Sequence, residues 1–238
     1  MLIKKNKFWK IHKNHFTFAN HLVKPFGLSG WFVNKIMTTE EKILLAARKI
    51  FFIKGYDGAK MQDIANDAEI NKAMLHYYFR NKEQLYEKVN LSFANALIPQ
   101  INDLVDMELN IFETIENFVG IYLDFLQKNP DLPSYFVGEM NRNQEMFFKV
   151  LEKNANLPNL IAFSKKVQIA IDNQEIRAIH PIHLFLNIIS LCIFPYLSAP
   201  MIQYATKPIQ IDMNTIFTNR KKEITSFIIL SLTNQNNI

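Results

Sequence analysis

From Thr38 onward, apolar residues recur at helical rather than strand spacing, and no convincing alternating stretch appears. Thr38 and Glu41 form a capping-box pair, followed by Ile43, Ala47, Ile50 and Phe51 at i, i+4, i+7 and i+8. Gly55 is placed to end this first helix as a left-handed residue. Ile64, Ala65 and Ala68 stripe a short second helix starting near Lys60 or Met61, and a third, about Lys72 to Phe79, turns Leu75 and Phe79 inward. Asn81 and Gln84 make another capping box, after which Leu85, Val89, Phe93 and Leu97 run at a spacing of four to Pro99, the expected stop. Ile111, Ile115, Phe118, Tyr122 and Phe125 mark the next helix. More are expected over about 131–142, 143–173 with a break near Pro158, 181–205 and 213–233. The fold class is all-α, without an internal repeat.

The second and third helices are short, and Asp67, Ala68, Glu69 and Ile70 leave room only for a turn between them. Asn71 is placed to cap the third, its side-chain oxygen accepting a free N–H of the first turn. Lys72, Ala73, Met74, His76 and Tyr77 are left on the outward face. Two short helices at a tight angle, the second with an outward row of donors and small apolar groups, have the geometry that enters a DNA major groove. A generic helical hairpin would carry a longer, more amphipathic second helix.

The string GYDGAKMQDIANDAEINKAMLHYYFRNKEQLYEKV, Gly55 to Val89, resembles the DNA-binding region of the TetR family of bacterial transcriptional regulators. The likeness begins at Thr38 with TTEEKILLAARKIFFIKG, and its most specific part is LHYYFRNKEQLY, Leu75 to Tyr86. Beyond Val89 it is architectural, in length and helical pattern, with NPDLP (129–133) and HPIHLFLNIISLCIFP (180–195) similar to such domains less specifically. Two positions depart from the family pattern: Ala59 and Lys60 stand where a Ser or Thr cap is usual, and Glu69 where Gly is common. A left-handed Glu69 is strained by about 1 kcal/mol.

The resemblance implies DNA contacts at Asn71, Lys72, Ala73, Met74, His76 and Tyr77, and side-chain chemistry suggests their roles. Lys72 suits a phosphate or guanine, Ala73 and Met74 a thymine methyl, His76 a base edge or phosphate, and the Tyr77 hydroxyl the backbone. Tyr78 and Phe79 are expected to pack inside. Lys60 offers a cation to phosphate, and Arg80 and Lys82 flank the site, Lys82 at a helix N-terminus that itself favours phosphate.

Charge adds a warning. The net +5 lies wholly in residues 1–36, which carry seven lysines and no acid, leaving 20 basic against 22 acidic residues in 37–238. The DNA argument therefore rests on local arrangement. The segment 1–36 shows no periodicity, lacks the compact apolar core of a signal peptide, and is expected to be a mostly disordered basic extension. It holds His12, His15 and His21, whose spacing without nearby Cys or carboxylate makes a poor metal site, and as a basic aromatic arm it would suit phosphate or a minor groove. The single Cys192, inside an apolar run, excludes an intrachain disulfide and fits a cytoplasmic location. No uninterrupted apolar stretch reaches the roughly 18–20 residues of a membrane span.

No Gly-rich phosphate loop, HExxH pair or nucleophile elbow occurs, so catalytic residues, metal and cofactor are all expected to be absent. His180 and His183 straddle Pro181 at a helix start, where capping outweighs metal binding. Phe118, Tyr122, Phe136, Met140, Phe147 and Phe163 are candidates to line a pocket for a small apolar or amphipathic effector, as the resemblance implies, or are plain core. Ile182, Leu186, Ile189 and Ile193, with Ile224, Phe227 and Ile228, are the candidate interface of a homodimer, built as a four-helix bundle by the last two helices and their mates. The organisation expected is a basic extension (1–36), a helix-turn-helix domain (37–84) and a helical effector-binding and dimerisation domain (85–238). The function expected is a transcriptional regulator of repressor type, not an enzyme, binding double-stranded DNA. A small molecule would change the separation of its two recognition helices. The rivals are a helical regulator triggered by a protein partner and a helical carrier of apolar ligands.

Overall fold

Four helices carry the first core: α1 (Thr39–Gly58), α2 (Met61–Asp67), α3 (Lys72–Tyr78) and α4 (Lys82–Asp106). The computed structural model describes residues 37–153, 157–210 and 213–233; the extension 1–36, with its expected disorder, lies outside them. After α4 come α5 (Ile111–Lys128), α6 (Leu132–Arg142), α7 (Gln144–Lys153), α8 (Leu160–Asp172), α9 (Pro181–Leu197) and α10 (Ala199–Thr206). A 3-10 turn (Lys207–Ile209), α11 (Met213–Thr218) and α12 (Arg220–Leu232) complete the described chain, in which there is no strand.

The caps read from the sequence are formed. Thr38 accepts from the Glu41 N–H while the Glu41 carboxylate accepts from the Thr38 N–H at 2.8 Å. Asn81 Oδ1 accepts from the Gln84 N–H at 2.9 Å, a simple cap where the sequence suggested a reciprocal capping box. Gly55 behaves differently from expectation. Its φ of 67° is left-handed as expected, but with ψ of 178° it makes a kink rather than a stop, and one more helical turn runs to Gly58. Pro99 does not end α4 either. The apolar stripe resumes with Ile101, Leu104 and Val105, all buried, and their packing outweighs the roughly 3 kcal/mol that an internal proline costs. The helix expected over 181–205 bends by 67° between α9 and the α10 segment, just beyond Pro195. The one expected over 213–233 breaks at Asn219.

Two cores result. In the first, Ile43, Phe51, Ile64, Leu75, Leu85 and Tyr86 meet, and Leu132 and Tyr135 of α6 with Val150 of α7 close it. In the second, the end of α4 packs with Ile115 and Phe118 of α5, Phe163 of α8, Leu184 and Ile188 of α9, and Ile224 and Ile228 of α12. Helix α4 therefore enters both cores, and residues beyond 84 complete the surroundings of α1–α3. Among the described residues no single helix is long and apolar enough to cross a membrane.

Candidate nucleic-acid interface

The turn between α2 and α3 is a helix C-terminal motif with the wrong residue at its left-handed position. Ile70 N–H donates to the Ala65 carbonyl at 3.0 Å and Glu69 N–H to that of Asn66 at 3.2 Å, with Glu69 at φ 56°. Glycine is favoured at such a position, so Glu69 carries the strain expected of it, about 1 kcal/mol. Asn71 then starts α3 in extended conformation, and its Oδ1 accepts from the Met74 N–H at 2.7 Å. The cap uses that oxygen, and the residue as a whole stays exposed.

Leu75, fully buried, and Phe79 anchor α3 to the first core. Lys72, Ala73, Met74, His76, Tyr77 and Arg80 are exposed, as are Asn71 and Lys60. Tyr77 is 84% exposed. Tyr78 corrects the sequence reading: it stays 41% exposed, at the edge of the buried stripe, and meets Tyr77 edge-to-face at 5.5 Å. His76 Nδ1 lies 3.1 Å from the Arg80 carbonyl. Because a carbonyl only accepts, Nδ1 is the donor in this contact.

Lys60, the N-cap of α2, makes no capping bond, so its ammonium is not spent on the helix. Lys82 is placed otherwise than the sequence suggests. Its ammonium turns back to α1, donating to the carbonyls of Tyr56 at 2.8 Å and Ala59 at 3.2 Å. Unsatisfied carbonyls at a helix end are strong acceptors, which explains the capture. The acids of α2 are answered from α1: Lys54 pairs with Asp63 at 2.6 Å, and Lys49 with Asp67. Lys60, Lys72 and Arg80 are thus exposed, while the α2 acids Asp63 and Asp67 are both paired inside the module.

The C-terminal candidates separate. Phe118, Tyr122 and Phe163 belong to the second core, where Phe118, Phe163 and Phe185 contact one another at 6.0–6.3 Å between centroids. Phe136 packs with the first core and meets Phe147 at 5.3 Å, while Met140 is 38% exposed. The six residues therefore do not line one pocket: Phe136, Met140 and Phe147 leave the set, because α6 and α7 pack on α1 and α4. The interface candidates also divide. Ile182 and Leu186 are exposed and Ile189 and Ile193 partly so, since the inward stripe of α9 is Leu184, Ile188, Cys192 and Pro195. On α12, Phe227 is exposed but Ile224 and Ile228 are buried in the chain's own core. These two are corrections, caused by α12 packing on α5 and α9. His180 caps α9, its Nδ1 accepting from the Ile182 N–H at 3.3 Å.

Two residues that sequence reasoning passed over tie the module to later helices. Arg48 of α1 lies over the rings of Phe52 and Phe93, at 5.3 and 4.8 Å, and donates to Asn129 Oδ1 at 3.0 Å. Burial lowers its pKa, with Asp131 opposing the shift. Glu139 of α6 is fully buried and accepts from Tyr86 Oη at 2.8 Å. Burial, Tyr135 and then Glu139 raise the Tyr86 pKa, so its hydroxyl remains a donor. A lone acid in GEMNR carries no pattern that announces burial.

The geometry defines the class first: the described residues are helical and carry an exposed helix-turn-helix at α2 and α3. Residues 43–89 match the model of the bacterial regulatory proteins of the tetR family. The chain is 30% identical over 92 residues to the biofilm operon icaADBC HTH-type negative transcriptional regulator IcaR of Staphylococcus epidermidis, covering 39% of this chain and 36% of that one. It is 30% identical over 105 residues to the HTH-type transcriptional repressor NicS of Pseudomonas putida, covering 42% and 48%. The matches thus span less than half the length of these curated relatives. HlyIIR, a hemolysin II transcriptional regulator, is 23% identical with a TM-score of 0.59 over 83% of this chain and 98% of its own, a likeness of fold. Residues 43–89 therefore carry the DNA-binding region that this family model describes.

Proposed function

We propose that this chain is a sequence-specific DNA-binding transcriptional regulator of repressor type, with α3 as its reading helix. The observation that carries the reading is α3 itself: Leu75 and Phe79 fix it to the core while Lys72, Ala73, Met74, His76 and Tyr77 face outward together. Asn71, Lys60 and Arg80 flank that row. Lys82 supports the interface from below. The names of IcaR and NicS, a negative regulator and a repressor, support the sign of regulation. In this reading residues 37–84 supply the DNA-binding part and 85–238 the regulatory part, and two copies join through the outward faces of α9 and α12 to present two α3 helices to a palindrome.

The test is selection of bound duplexes from a random library by the full chain. A palindromic consensus is expected, bound more weakly by Lys72→Ala; recovery of no consensus sinks the reading. A small apolar or amphipathic molecule that spreads the Phe118–Phe163–Phe185 cluster would release the duplex. The close mutual packing of those rings also suits a second reading, in which a protein partner supplies the trigger. A panel of such molecules measured for both binding and duplex release separates the two: binders that leave DNA affinity unchanged favour the partner.

A further inference from the structure

Helix α6 presents Tyr135 and Glu139, one turn apart, to the seam between α1 and α4. Three donors converge on the buried Glu139 carboxylate. Tyr86 Oη of α4 donates to Oε2 at 2.8 Å, the Tyr56 backbone N–H of α1 points between both oxygens at 3.3 Å from each, and Arg142 Nη2 donates to Oε1 at 3.3 Å. Tyr135 adds a second tie, donating to Asn90 Oδ1 at 3.2 Å, with its ring stacked on Phe52 at 4.3 Å.

The Tyr56 N–H faces Glu139 because Gly55 steps out of the helical ladder at φ 67°, ψ 178°. A Cβ at Gly55 would lie 2.8 Å from Glu139 Oε1, so the kink and the carboxylate are fitted to each other. From Tyr56 the tie continues, since its carbonyl accepts from Lys82 at 2.8 Å, and Lys82 opens α4 two residues after Arg80. A carboxylate taken out of water is costly, and a well-packed apolar side chain is often as stable in such a place. Burial of Glu139 therefore points to the geometry it specifies.

We infer that Glu139 is the positioning residue through which α6 fixes the end of α1, and through Tyr56 and Lys82 the setting of α3. With Glu139 seated, the module keeps its DNA-competent arrangement; with Glu139 withdrawn, the α1–α4 seam loosens and the reading helix loses its support. This rests on the DNA-binding reading and adds the route by which the C-terminal helices govern it. Coupling of this kind is reciprocal, so DNA held by α3 also stabilises the contacts of α6.

Hydrogen exchange on the full chain tests the inference with E139Q and the milder Y86F. Without DNA, amides over 52–60 should exchange about tenfold faster in E139Q, as loss of a charged hydrogen bond implies, and less so in Y86F. Amides of α5 and α12 should keep wild-type protection. With the selected duplex, exchange over 132–142 should slow in the wild type but not in E139Q, and E139Q affinity should fall by about tenfold or more. Unchanged exchange over 52–60 in both variants overturns the inference. So does a uniform rise across α5 and α12 in both, which marks a structural role only, and so does an affinity loss without the local change. If no duplex is bound by the wild type, the DNA reading fails by itself, while exchange over 52–60 still decides whether Glu139 holds the seam.

Discussion

Lys82 Nζ sits 4.4 Å from the centre of the Tyr56 ring and donates to the Tyr56 carbonyl at 2.8 Å. A cation beside the reading helix is thus committed to the end of α1, whereas Lys72 and Arg80 are exposed. The difference sorts three basic residues that look alike in sequence into contact and support.

Lys72→Ala and Arg80→Ala should each weaken binding to any duplex and lower the slope of log affinity against log salt by roughly one. Lys82→Ala should instead lower stability by about 1–2 kcal/mol, the loss of charged hydrogen bonds at a half-exposed site. Salt titrations of binding and urea unfolding measure the two effects. Equal salt slopes for wild type, Lys72→Ala and Arg80→Ala would show that the DNA surface lies elsewhere.

Gly55→Ala should destabilise the fold by about 1–3 kcal/mol. Its backbone occupies a region that L-residues avoid, and the added methyl meets the Glu139 carboxylate. Urea midpoints are the measurement; an alanine variant as stable as wild type would mean that α1 relaxes its kink without cost.

Most helices, and the division of α3 into buried and outward residues apart from Tyr78, were legible because local signals carry them: Thr38 with Glu41, Asn71, Asn81, and the pair Leu75 and Phe79. What failed depends on tertiary partners. Pro99 is a stop only until Ile101 and Leu104 find α5, and Ile224 and Ile228 look like interface until α12 lies on its own core. Glu139 was invisible, since its partners Tyr56 and Tyr86 lie 83 and 53 residues away in sequence. The ring Phe136 shows the same limit: composition marks aromatics but does not say which of two cores receives them.

Cys192 should resist thiol reagents in the native protein. Burial pushes its thiol up to about 12, with Arg220 opposing. The reactive thiolate is then roughly three thousandfold scarcer near neutral pH than in an unfolded chain, whose cysteine titrates near 8.5. Labelling at pH 8 with and without urea reads this directly. A native rate equal to the unfolded one would show that α9 opens freely.

Removing residues 1–36 takes away seven positive charges and none of the described helices. The shortened chain is expected to fold, to keep the consensus of the full chain, and to bind nonspecific duplex more weakly, since that binding is electrostatic. Loss of the selected consensus on truncation would make the extension part of the reading surface.

The dimer gives the sharpest contrast, because neighbouring residues predict opposite failures. One helix-turn-helix reads few base pairs, and a twofold pair sets two of them about one helical turn, roughly 34–36 Å, apart. Leu186 is 48% and Phe227 64% exposed, on apolar helices whose other sides pack inward, whereas Ile228 is 2% exposed. Leu186→Glu and Phe227→Glu should therefore give folded monomers that lose the palindrome, the charge being tolerable in water but not in a buried interface. Ile228→Asp should unfold the second core instead, since an unpaired carboxylate there has no partner and leaves a cavity. Sedimentation separates monomer from dimer, and far-UV circular dichroism separates monomer from unfolded chain. A folded, dimeric Leu186→Glu protein that still binds the palindrome would move the interface off α9. A folded Ile228→Asp monomer would return Ile228 to the interface that its burial denies it.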